Sequence, residues 1–358
     1  MNIAAFALGA LSRFLRPFVD ITGKTQLFAY GDSYTAGQNA TTAAERYINQ
    51  FATGKGLTLT NRAVGGRGVY VAASTIQGDS FSRPATVITV MAGLNDIRRN
   101  GSATKTLKKI EACYRAIMLR CISNLNTPSG HSSVVRSGSV LGYAANTVGG
   151  LYPTGTLPGN FASYAPSGSA SSWTWTFTGT GFGIQFSASD DVISNYGTGK
   201  IKIDGVVVKT IDLGEWYDGI SDGANDNARG PLGLTFHNLA NTSHTIVVES
   251  DGNGNFPVDF FCTLQAPSGS PAILFAEIPY LNSTGYALSP NMGSVAVSDI
   301  ASTVIKSIVN EYIALGFNVG FVQTNSYTNL ITDLDTDNIH WNNLGHDHGT
   351  NAFNAAVL

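Results

Sequence analysis

Hydrophobic positions change their period twice along this chain. Residues 26–31, QLFAYG, form the short continuous apolar run of a buried strand, and Ala43, Ala44, Tyr47, Ile48 and Phe51 then keep helical spacing until Gly54 and Gly56. A second strand is predicted in LTLTNRAV and a third in TVITVMAG. A long helix follows over about residues 103–125, with Leu107, Ile110, Tyr114, Ile117, Met118, Cys121 and Leu125 on one face. This alternation is that of βαβ units, and it predicts an α/β fold with a parallel sheet.

Near Pro128 the texture shifts to period two. Trp173, Trp175 and Phe177, then Ile184 and Phe186, then Ile201 and Ile203 alternate with polar residues, and Asp204-Gly205 between IKI and VVV is a two-residue hairpin signal. LGLTF and HTIVVES continue the series, so residues 129–268 are predicted to form an all-β sandwich. After Pro267 and Pro271 the α/β pattern returns: AILFAEIPY as strand, residues 295–315 as helix and NVGFVQTNSY as strand. The sandwich is therefore an insertion. It leaves after a helix and returns into a strand, at the sheet edge opposite the loops that follow the strands, which argues against a simple lid and for a binding or subunit-contact module.

The first residues, MNIAAFALGALSRFLRPF, place Ile3, Phe6, Ala7, Ala10, Leu11, Phe14 and Phe18 at near-helical spacing but lack a cationic start, and Arg13 and Arg16 break the apolar run. An amphipathic segment docked on the body or on a second subunit is expected there. No uncharged apolar run reaches the ~18 residues that a membrane span needs. The net charge is −3 and only 13% of residues are charged, with the Lys and Arg scattered. Nothing draws such a chain to nucleic acid or to anionic lipid. Cys113, Cys121 and Cys262 form no Cys-x-x-Cys pair, and two of them lie on one helix about 12 Å apart by its rise, so free buried thiols are expected.

Loops at the carboxyl ends of parallel strands gather at one edge. Four such loops carry polar residues: Ser33 after the first strand, Asn61 to Gly66 after the second, Gly93-Leu94-Asn95-Asp96 after the third, and Asp337-Asn338-Ile339-His340 after the last. A serine becomes a useful nucleophile when an imidazole takes its proton, and the imidazole needs an acceptor on its other nitrogen. His340 and Asp337 can supply both. The Ser33 and Gly66 amides and the Asn95 side chain could serve as the donors that an oxyanion requires. Asp32 and Asp96 suit turns or helix caps. His346 and His348 alternate in direction near the start of the closing helix with no Cys or Glu ligand nearby, so neither metal nor cofactor is expected. His131, His237 and His244 show no partner in the sequence.

Taken in order, Gly31-Asp32-Ser33, Asn61 to Gly66, Gly93 to Asp96 and Asp337-x-x-His340 resemble the four blocks of the SGNH, or GDSL-type, serine hydrolases. The resemblance covers residues 22–125 and 270–358. It implies a three-layer α/β/α, flavodoxin-like hydrolase domain at 23–128 and 269–358, interrupted by the sandwich at 129–268 and preceded by the segment at 1–22. It also implies Ser33, His340 and Asp337 as a triad, with Ser33, Gly66 and Asn95 around the oxyanion. Two positions depart from the family pattern: Tyr34 stands where the signature has leucine, and Trp341 where many relatives carry proline. Each is a candidate substrate contact, as a wall of the acyl or sugar pocket, or else a packing residue.

With its paired Trp173 and Trp175, the insertion looks similar to jelly-roll carbohydrate-binding modules, which accompany this hydrolase fold in secreted bacterial enzymes and bacteriophage tail proteins. The implied activity is a serine esterase that removes acyl groups, acetyl first, from a carbohydrate in an extracellular or virion setting. The alternatives are a lipase or thioesterase with the same triad, a sugar-binding or virion structural protein without catalysis, and a sandwich that serves only assembly into a homo-oligomer.

Overall fold

The computed structural model describes residues 18–122, 134–139, 141–142, 163–189, 196–216, 229–264 and 269–358. Most of the expected N-terminal segment, the predicted end of the long helix and the boundary at 128/129 lie outside these residues. Two compact units emerge: one from the chain up to Gly65, Phe81–Leu94 and Ser268–Leu358, the other from Gly66–Ser80 and Asn95–Pro267.

The first unit is built on five parallel strands, β1 (Gln26–Gly31), β2 (Thr58–Asn61), β3 (Thr86–Met91), β14 (Ala272–Ala276) and β15 (Val319–Val322). Their spatial order, β15-β14-β3-β1-β2, is the flavodoxin-like one, with its topological switch between β1 and β3. TVITVM in β3 and AILFA in β14 are buried at every position, as parallel strands covered on both faces must be. Five α-helices belong to this unit among the described residues: α1 (Ser33–Ala36), α2 (Tyr47–Gly54), α6 (Ser283–Ala287), α7 (Val295–Ala314) and α8 (Asn343–Ala355), the last packing Phe353 on Tyr47 and Phe51 of α2. The helix predicted from Ala43 onward is split. A capping box between Thr42 and Glu45 closes a separate 3-10 turn, and Arg46 is extended before α2 begins.

The second unit contains α3 (Val69–Gly78), most of α4 (Leu94–Asn100), α5 (Thr104–Ile122) and two antiparallel sheets. One sheet contains β4 (Val135–Gly138), β7 (Ser171–Gly179), β9 (Thr198–Ile203), β10 (Val206–Asp212) and β12 (Thr242–Ser250). The other contains β5 (Leu141–Gly142), β6 (Ser163–Ala165), β8 (Phe182–Ser189), β11 (Arg229–Phe236) and β13 (Phe256–Thr263). Their inner faces interdigitate through aromatic rings: Trp173 lies 6.2 Å from Phe256, and Trp175 lies 5.6 Å from Phe261. The predicted β9–β10 hairpin is present, with Asp204 and Gly205 both at positive φ, as a type I′ turn demands.

The outer face of the second sheet meets α5 at close range. A Cβ on Gly233 of β11 would stand 2.5 Å from the Ala116 nitrogen and 2.9 Å from its Cα, so only glycine fits. This unit therefore takes in α3 and α5 as well as the sandwich, where the sequence drew the sandwich at 129–268 alone. Cys113, Cys121 and Cys262 are free and buried.

Trp173 and Trp175 are 1% and 6% exposed, so the tryptophan pair fills the core of the sandwich, as their alternation predicts. One reading is corrected. His244 does have a partner: its Nδ1 lies 2.7 Å from Asp204 Oδ2, a contact that lifts the imidazole above its ordinary pKa.

Candidate active site

Ser33 opens α1 immediately after β1. Asp32 caps that helix, its carboxylate accepting from the Tyr34 amide at 3.1 Å. The Asp32 amide donates to the Met91 carbonyl of β3 at 3.3 Å, which holds the turn at the switch point. The 62–65 loop runs alongside: the Val64 amide donates to the Gly31 carbonyl at 3.1 Å, and a Cβ on Gly65 would sit 3.7 Å from Ser33 Cβ.

The loop before α8 brings in the other two polar side chains. His340 Nε2 lies 2.7 Å from Ser33 Oγ, and His340 Nδ1 lies 2.6 Å from Asp337 Oδ2. Asp337 Oδ1 accepts from the backbone amides of Ile339 and His340, both at 2.9 Å, and Oδ2 also accepts from the Asn39 side-chain amide at 2.9 Å. Burial alone would raise the Asp337 pKa. The hydrogen bonds from the His340 side chain, the two backbone amides and Asn39 outweigh it and hold the group down to about 2. Asp337 is therefore an anion at neutral pH, fit to fix an imidazole tautomer and to stabilise the imidazolium form. Asn338 supports the turn from a left-handed conformation (φ 61°), with its side-chain oxygen accepting from Asn282 at 2.8 Å.

Tyr34 and Trp341 are placed differently from the expected substrate walls. Both are 1% exposed. The Tyr34 hydroxyl donates to the Ile339 carbonyl, and its ring meets Trp341 edge-on with centroids 4.9 Å apart. Trp341 in turn meets Tyr47 edge-on at 5.8 Å. These rings pack under the Asp337–His340 loop, which is the packing alternative that the sequence left open for both positions. His346 is buried and neutral: the Tyr47 amide donates to Nδ1 at 3.4 Å, Nε2 faces the Gln38 carbonyl at 3.3 Å, and burial pushes its pKa down to about 4. His348 Nδ1 pairs with buried Asp333 at 2.6 Å.

Gly66 and Asn95 are held within the second unit. Gly66 has φ 76°, and the Arg99 guanidinium donates to its carbonyl at 2.7 Å. Asn95 is 6% exposed and its Nδ2 donates to the Arg67 carbonyl at 3.0 Å. The two stretches thus clasp each other. Asp96 adds a buried anchor, accepting from the Val69 amide at 2.8 Å and pairing with Lys109 at 3.4 Å. The sequence reading missed this pair, and it also missed Asn39, because no local pattern marks a partner so distant along the chain.

Residues 29–164 match the GDSL-like lipase/acylhydrolase family. Among curated proteins none matches the chain. Among solved structures, a family 3 carbohydrate esterase from Clostridium thermocellum is 10% identical, with 93% of this chain and 94% of that one covered at a TM-score of 0.41. A two-domain esterase active on acetylated mannans is 11% identical over 67% and 91% of the two chains at 0.30. A family 35 carbohydrate-binding module, also from Clostridium thermocellum, is 12% identical over 37% and 92% at 0.25. These likenesses are loose. The stretch similar to the GDSL-like lipase/acylhydrolase family, residues 29–164, holds Ser33, Gly66 and Asn95.

Proposed function

We propose that this chain is a serine ester hydrolase that removes acyl groups, acetyl first, from a carbohydrate. One observation carries the reading: the unbroken line from Ser33 Oγ through His340 to Asp337, with links of 2.7 and 2.6 Å. In the first half-reaction Ser33 Oγ attacks the ester carbonyl carbon, and its proton passes to His340 Nε2. The tetrahedral oxyanion collapses, the bond to the alcohol oxygen breaks, and His340 returns the proton to that leaving group. Water then repeats the sequence on the acyl-enzyme and releases the carboxylic acid. Asp337 stays ionised throughout and steadies the imidazolium.

We assign the oxyanion donors to the Ser33 and Gly66 amides and the Asn95 side chain. The reading is supported by the clasp between residues 66–67 and 95–99, which would present the last two donors together. The carbohydrate substrate is proposed from the β-sandwich that shares the chain.

The test is hydrolysis of p-nitrophenyl acetate by wild type and S33A, followed by D337N. S33A should be inactive, and D337N should lose about 10³–10⁴-fold in kcat. Equal rates for wild type and S33A would end the catalytic reading. Preference for acetyl over long-chain esters, with acetate release from acetylated glycans, separates a sugar deacetylase from a lipase or thioesterase.

A further inference from the structure

We infer that Asn39 is a positioning residue for the Asp337–His340 pair, an inference that rests on the triad reading above. Asp337 Oδ1 is fixed by two backbone amides, but those two bonds leave the carboxylate free to pivot about that oxygen. Oδ2 is the atom that faces the imidazole, and Asn39 Nδ2 is a second donor to it at 2.9 Å, beside His340 Nδ1 at 2.6 Å. An ionised carboxylate only accepts, so the amide must present its NH2 group there. With Oδ2 held from both sides, the Nδ1 proton keeps its direction and the Nε2 lone pair stays aimed at Ser33.

The segment that carries Asn39 is itself clamped. On one side the Gln38 amide donates to the Ser33 carbonyl at 2.9 Å, tying the segment to the helix that bears the nucleophile. On the other, the Thr41 amide donates to Asn343 Oδ1 at 3.0 Å and Asn343 Nδ2 donates to Thr41 Oγ1 at 2.8 Å, tying it to α8. Asn39 adopts φ 67°, a left-handed conformation that Asn, Asp and Gly accept and most residues resist. A single amide thus couples two groups that come from opposite ends of the chain, the Ser33 helix and the Asp337 carboxylate.

The same backbone fact selects the variants. Alanine at φ 67° would add strain, whereas N39D and N39G keep the conformation and remove the donor. In p-nitrophenyl acetate hydrolysis both should lose about 10–100-fold in kcat while KM changes by less than about twofold, as for loss of orientation at a reacting group. N39D also sets a second carboxylate against Asp337 and should lose at least as much as N39G. Wild-type kcat in both variants, or a rise in KM as large as the fall in kcat, overturns the inference. S33A is run alongside: if S33A is active, it is the triad reading that fails.

Discussion

Gly349→Ala offers a test in which the ordinary rule for helices should reverse. Gly345 and Gly349 stand one turn apart on α8 and form the seat of the Trp341 indole. A Cβ on Gly349 would lie 2.6 Å from Trp341 Cζ3 and 3.1 Å from Cη2. Carbon atoms settle at about 3.5–4.0 Å, so the ring must retreat by about 1 Å. It has little room: Trp341 is 1% exposed and meets Tyr34 and Tyr47 edge-on at 4.9 and 5.8 Å.

In an open helix interior alanine is better than glycine by about 1 kcal/mol. Overpacking against a rigid neighbour costs about 1–3 kcal/mol, here at the upper end, which leaves a net loss of about 2 kcal/mol. For a unit of this size that is a fall of about 4–8 °C in melting temperature. Because Trp341 follows His340 directly, the displacement should also reach the imidazole, and a shift of about 1 Å there can cost up to ~10²-fold in turnover. Thermal melting and kcat on p-nitrophenyl acetate are both measured. G54A is the control, since a Cβ there meets nothing within 4 Å, and it should keep wild-type kcat and melt at or above wild type. A G349A protein as stable and as fast as wild type would refute the packing argument.

His346 is held neutral by burial, with its pKa pushed down to about 4. Its folded value lies below that of the unfolded chain, so the stability it supports is complete above about pH 6.5 and is lost as pH falls toward 4; Asp337, also depressed, adds a loss only below about pH 4. Melting temperatures measured across pH 7 to 4 should therefore fall less steeply in H346Q than in wild type, and an unchanged slope would contradict the assignment. The Lys109–Asp96 pair has side chains 2% and 0% exposed. K109M should cost about 3–5 kcal/mol in denaturant unfolding by stranding a buried carboxylate, and the double variant D96N/K109M should recover part of it.

Where a property depends on local period or on a residue's own chemistry, this sequence displays it openly. QLFAYG, TVITVM and AILFA read as buried parallel strands because both faces of such strands are covered, and the alternation around Trp173 and Ile201 reads as a sandwich because one face is not. Asp204-Gly205 announces its turn through backbone sterics. The loops that hold Ser33 and Asp337-x-x-His340 stand out because strands punctuated by helices leave their carboxyl ends at one edge.

Partner and direction are different quantities. Nothing within Tyr34 or Trp341 says whether an aromatic beside a serine or a histidine turns outward to a substrate or inward under a loop; the slot between Gly345 and Gly349 decides that. The fit of α5 against Gly233 draws the helices into the compact unit of the sandwich, past the boundary that texture alone suggests. Asn39 and Asp337 are 298 positions apart, as are Asp20 and the Asn318 that receives its amide. Composition and periodicity carry no information across such spans, because a hydrogen bond there exists only once the sheet has assembled and brought the two loops within 3 Å.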